Sequence, residues 1–137
     1  METEGQFSPT TAAAARDRYE SLGSTAQVVV KEVAKAMGLD AAEYRERVTG
    51  EVVETARDVL FAESLSVTVG SRDEFDEWRA DTDCEVEVIG SDNVENVVWH
   101  APEFAETAVA ATYQSERDAA VGTLRRQAFG RIYGEVV

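Results

Sequence analysis

The sequence predicts an α+β fold with a helical N-terminal half, then a small, mostly antiparallel three-stranded sheet on which a short helix and a long C-terminal helix pack. Three observations predict it. Apolar residues recur at three-to-four spacing as far as Ser64, the period drops to two at Leu65, and it returns to about 3.6 residues after Ala101-Pro102. The length of 137 residues suits one domain spanning 1–137. Sub-lobes 1–64 (helical) and 65–137 (β-α-β-β-α) would each be short of core alone.

Pro9 suits a first helical turn, and Ala12, Ala15, Tyr19 and Leu22 keep helical spacing until Gly23. Ser24 with Gln27 has capping-box spacing and opens a second helix striped by Ala26, Val29, Val30, Val33 and Met37, with Gly38 as its C-terminal cap. Asp40 with Glu43 repeats that spacing before Tyr44 and Val48. Thr49-Gly50 kinks or recaps the helix, which resumes through Val52, Val53, Ala56, Val59 and Leu60.

Leu65, Val67 and Val69 alternate with polar residues as a first strand, and Gly70 ends it. Ser71 with Glu74 caps a short helix bearing Phe75 and Trp78 and ending near Asp81. Cys84, Val86 and Val88 alternate with Glu85 and Glu87 as a second strand with an acidic outer face, its cysteine on the core side. The turn residues Gly90-Ser91-Asp92-Asn93 lead to a third strand, Val94 to His100, so these two read as a hairpin. From Glu103 to Tyr133 the pattern reads as helix, Ala105, Ala108, Val109 and Tyr113 first, then Val121, Leu124, Ala128 and Ile132, with a fresh start near Ser115. Helices are expected on one face of the sheet.

Composition removes several function classes. One cysteine, Cys84, excludes an intramolecular disulfide, and one histidine, His100, excludes two-histidine zinc sites. No apolar run approaches the ~20 residues of a membrane span, and the acidic Met-Glu-Thr-Glu-Gly start lacks a signal peptide's features, so no membrane role and a cytoplasmic location are expected. With 27 acidic against 13 basic residues the formal charge is −14, and only Lys31 and Lys35 are lysines. That balance reads as halophilic adaptation. At molar salt the screening length is about 3 Å, so crowded carboxylates repel little and hold nonspecific hydrated cations.

The alternating carboxylates Asp81, Asp83, Glu85 and Glu87 fail the calcium-loop test, since Val86 and Asp92 stand where that loop needs Gly and Glu. Gly90-Ser91-Asp92-Asn93 lacks the lysine of a phosphate loop. No metal or cofactor is predicted.

His100 ends the third strand beside Trp99. With Trp99 pointing into the core, alternation sends His100 outward, where it could act as a base or hydrogen-bond backbone; no nearby motif supplies the nucleophile or orienting group a catalytic histidine needs. The reading leans away from an enzyme. The charge balance reverses at the C-terminus, where Arg117, Arg125, Arg126 and Arg131 stand against Asp118 and Glu135 alone. Arg126, Gly130 and Tyr133 fall on one helical face, while arginine and tyrosine are enriched in interface hot spots. The bland alternative pairs those arginines with the protein's own carboxylates.

The stretches Phe7 to Gln27, Val48-Thr-Gly-Glu-Val52, Asn96-Val-Val-Trp-His-Ala-Pro102 and Val121 to Tyr133 resemble a small uncharacterised haloarchaeal protein family. The resemblance spans nearly the whole chain. It implies a haloarchaeal source and no activity, cofactor or site residue.

The functional expectation is therefore a non-enzymatic accessory or regulatory protein that binds a protein partner, self-association included, through Arg125, Arg126, Arg131 and Tyr133. A small-molecule pocket near His100 and Trp99 is the enzyme alternative. A nucleic-acid or ribosome-associated role for the arginines is the third, disfavoured by the negative field and by the loss of phosphate affinity at high salt.

Overall fold

A computed structural model describes all 137 residues. The chain runs β1 (Glu2–Glu4), α1 (Ala12–Ser21), α2 (Gly23–Ala36), α3 (Ala41–Arg47), α4 (Gly50–Ser64), β2 (Val67–Ser71), α5 (Arg72–Asp81), β3 (Glu85–Ile89), β4 (Asn96–His100), β5 (Thr107–Tyr113) and α6 (Arg117–Ala128), ending in a π-helical turn, Phe129–Tyr133. The α+β class holds, but the sheet has five strands in the order β1-β2-β4-β5-β3. All neighbours are antiparallel except β5 and β3, which run parallel from Glu85 beside Thr107 to Ile89 beside Ala111.

The helical half follows its local signals. Thr11 caps α1, and Asp40 and Ser71 form full capping boxes with Glu43 and Glu74. Thr49 accepts from the Val52 amide and starts α4 afresh. Gly38 adopts φ +69°, a left-handed backbone open to glycine, and the Leu39 amide behind it reaches back to the Ala34 carbonyl. The Ser24–Gln27 box does not form. The α1–α2 junction is a tight corner in which α2 starts at Gly23 with Leu22 as its cap residue, without a side-chain bond.

Three expectations about the sheet are corrected. Residues 107–113 are a strand, not helix. Ala108, Val109, Ala110 and Ala111 are all buried, so a central strand covered on both faces loses the alternation that marks a half-exposed one. Second, β3 and β4 do not form a hairpin, because β5 enters between them. The C-terminal helix is correspondingly short, starting at Arg117. Third, helices cover both faces.

On one face, Val67, Val69, Val98, Val109 and Ala111 meet Ala15, Phe61 and Leu65 from the first half and Val121, Leu124, Ala128, Ile132 and Tyr133 from the end of the chain. Phe61 is the hub, with edge-on rings from Phe7, Tyr19, Phe129 and Tyr133 at 5.0–6.0 Å. On the other face α5 lays Phe75 and Trp78 over Val97, Trp99 and Ala110. Gly70 is required there, since a Cβ at that position would meet the Trp99 ring at 2.9 Å. Cys84, expected in the core, is only half-buried at the entry to β3.

The helices α2 and α3 stand apart from both cores. The fully packed residues of α2 are two alanines, Ala26 and Ala34, and neither belongs to the sheet-centred clusters. α3 buries no residue.

Candidate functional site

His100 lies inside the protein, not outside it. Alternation does send Trp99 and His100 to opposite faces, but both faces are covered, so His100 is only 2% exposed. Its Nδ1 lies 2.6 Å from the Ser66 carbonyl, and its Nε2 lies 2.8 Å from the Tyr133 hydroxyl. The carbonyl can only accept, so Nδ1 carries the proton and the phenol donates to Nε2, leaving a neutral imidazole with both nitrogens satisfied. Burial holds its pKa below the ordinary histidine value, and the Arg125 charge adds to this, against the opposing bond to Ser66. Burial likewise pushes the Tyr133 phenol up. The pair fastens the end of the chain to β2 and β4. Both nitrogens are committed, and no cavity opens on the ring.

Most of the C-terminal arginines are also committed within the chain. Arg125, with its side chain 13% exposed, donates from Nε to the Leu65 carbonyl at 3.0 Å and lies 3.8 Å from Glu63. Arg131 binds Gln127 and Glu87. Arg117 clasps Glu2 and Glu4 of β1, which raises its pKa further. Arg126 alone among them is exposed and makes no ion pair. The structure brings His100 and Tyr133 together inside the protein with the partly buried Arg125 nearby, and places Trp99 on the opposite face and Arg126 and Arg131 on the surface. The π-helical turn explains Gly134, since a Cβ there would crowd the Gly130 carbonyl at 2.9 Å.

The exposed feature that sequence reading missed lies elsewhere. Apart from Met1, every large hydrophobic residue left exposed falls between Val28 and Val59: Val28, Val29, Val33, Met37, Tyr44, Val52 and Val59. Val33 is 53% exposed and Met37 62%. Most of this surface borders an apolar groove of about 330 Å³ between α2 and α4, with Val29, Val33, Met37, Val52 and Ala56 in its walls and Arg47 at one end. Such contiguous apolar surface marks interaction sites in folded proteins. The signal was present in the sequence: the apolar stripe of α2 spans more of the helix than its neighbours α4 and α1 cover.

Charge sets α2 and α3 apart. Residues 23–47 carry Lys31, Lys35, Arg45 and Arg47 against Glu32, Asp40, Glu43 and Glu46, so the whole net charge of −14 lies outside them. Lys31, Arg45 and Arg47 make no ion pair within the chain. No group of three or more histidine, cysteine or acidic side chains converges as a metal site, and no helix is long and apolar enough to cross a membrane.

A family described as one of unknown function, DUF5809, matches residues 6–134. No curated protein and no solved structure matches the chain.

Proposed function

The chain belongs to DUF5809, a family of unknown function, and from that premise we propose that it is a non-enzymatic accessory or regulatory protein that works by binding protein through the apolar face of α2 and α4. One observation carries the proposal: apart from Met1, the exposed large hydrophobics of this strongly acidic chain all fall between Val28 and Val59, and most of them border one apolar groove between α2 and α4. An association surface needs apolar contact area with low like-charge repulsion; the groove supplies the first, and α2, with Lys31 and Lys35 against Glu32, adds no excess of negative charge to it.

The same protein–protein role was expected at the C-terminal helix. The burial of Tyr133 and the internal pairing of Arg117, Arg125 and Arg131 favour the α2–α4 face instead, with Arg126 the one unpaired cation on α6. The committed nitrogens of His100 support a structural part for that residue over a catalytic one. The acidic surface suits a salt-rich cytoplasm of haloarchaeal type, where screening removes its self-repulsion.

The test uses the full chain as bait in a high-salt lysate, beside Val33→Asp/Val59→Asp and Arg126→Glu. Associated proteins should disappear with the first variant and remain with the second. Loss with Arg126→Glu alone would return the contact to α6 and refute the proposal.

A further inference from the structure

We propose that the occupant of the α2–α4 face is a second copy of this chain, paired about a two-fold axis parallel to the helices so that α2 of each copy lies on α4 of the other. This rests on the association surface argued above and names its partner.

Two helices side by side present an apolar groove between two ridges, Val29, Val33 and Met37 on α2 and, on α4, Val52 with the exposed Val59 two helical turns beyond it. Such a face is self-complementary, because rotation about an axis along the groove lays each ridge over the other helix of the second copy. Gly23 at the start of α2 lies beside the Arg57 side chain of α4, while Met37 at its end shares the groove with Val48 and Val52, so the two helices run antiparallel; the crossed pairs are then antiparallel too, and the assembly is a four-helix bundle. The 14 and 15 residues of the two helices make them about 21 Å long at 1.5 Å per residue, well matched for this.

Charge selects the face for self-pairing in particular. Any two copies carry −14 each, and on most approaches their carboxylates oppose one another. α2 carries Lys31 and Lys35 against Glu32, a balance of +1, while α4 carries Arg57 against Glu51, Glu54, Asp58 and Glu63, a balance of −3, so crossing α2 of each copy over α4 of the other sets helices of opposite net charge against one another. In the bundle, Arg47 at the end of the groove comes to the C-terminus of the other copy's α2, whose unsatisfied carbonyls favour a cation.

Area sets the expected strength. A face about 21 Å by 20 Å, two helix diameters wide, buries on the order of 1,000 Å² over both copies once side chains interlock, the lower end for specific interfaces. A dimer of micromolar strength follows, visible only across a concentration series.

Sedimentation equilibrium of the full chain in molar KCl, from about 1 µM to 1 mM, should show the mass rising from 15.0 kDa toward twice that value. Val33→Asp/Val59→Asp should stay at 15.0 kDa, and Arg126→Glu should dimerise like the wild type. A wild type monomeric throughout overturns self-pairing and leaves the association face to the lysate experiment. A dimer that survives Val33→Asp/Val59→Asp overturns the face, and with it the proposed function. If that variant does not fold, methyl resonances of the wild type decide. Concentration-dependent shifts at Val29, Val33 and Val52 support the bundle, and shifts confined to Val121 and Leu124 on α6 overturn it.

Discussion

Replacing Tyr133 by phenylalanine removes one oxygen atom and leaves the ring that packs on Phe61 at 5.0 Å and Phe104 at 5.9 Å. The transfer and packing contributions stay nearly constant, so the cost is that of the hydrogen bond to His100 Nε2. That nitrogen lies in a residue 2% exposed, with no cavity beside it to admit water. A buried acceptor left without its donor costs about 1–3 kcal/mol, the upper half applying where water cannot substitute. About 2 kcal/mol is therefore expected. For a chain of this length that lowers Tm by roughly 6 °C. Chemical denaturation should show a lower midpoint at an unchanged slope, because the surface exposed on unfolding is the same. His100→Phe should cost more than Tyr133→Phe, since it orphans both the Ser66 carbonyl and the phenol. The double variant should lie short of the sum by about 0.5–3 kcal/mol, as expected for residues in direct contact. A Tyr133→Phe protein within about 0.3 kcal/mol of wild type would refute the assignment of a satisfied, water-excluded pair.

The same pair sets the acid response. His100 has a depressed pKa in the folded state, so below its ordinary value of about 6.5 the unfolded chain takes up a proton that the folded one refuses. Stability should fall as pH drops through that window and level off below the folded-state pKa, and His100→Phe should flatten this part of a denaturation–pH profile at constant high salt. Phe61→Ala should cost about 3–5 kcal/mol in equilibrium unfolding, because the hub loses contact with four rings at once. Gly70→Ala should push the Trp99 ring and destabilise by about 1–3 kcal/mol, with a change in tryptophan fluorescence that a purely local backbone effect would not give.

Much of the helical half was legible because its signals are local. Thr49, Asp40 with Glu43, and Ser71 with Glu74 each satisfy a helix end within a few residues, and so does Gly38. The phase of the last helix was legible too: Val121, Leu124, Ala128 and Ile132 all face the core as their spacing required. What stayed hidden was non-local. β1 is three residues held by pairing with Val67 to Val69, and nothing in Glu-Thr-Glu announces it. Three of the seven residues 107–113 are alanine, a strong helix former, and only α6 on one side with Phe75 and Trp99 on the other explain why small residues are needed there. The surroundings of His100 hid for the same reason, since its partners are 34 and 33 residues away along the chain. The arginine-rich terminus stood out in a linear count, but folding delivers Arg117, Arg125 and Arg131 to carboxylates of β1, α4 and β3.

The place of β5 has a consequence for the order in which the molecule can be assembled. β3 has no neighbour in the sheet other than β5, and β5 is the last strand to be synthesised. A nascent chain that has emerged only as far as residue 106 can pair β1, β2 and β4, but β3 waits without a ladder, its backbone groups open to other chains. Closure then inserts one strand between two already made, bringing α6 and the Tyr133 contact in behind it. Synthesis of β5 thus precedes completion of the sheet. A ribosome stalled before Thr107 would hold a chain with its sheet unfinished, since β3 can join it only through β5.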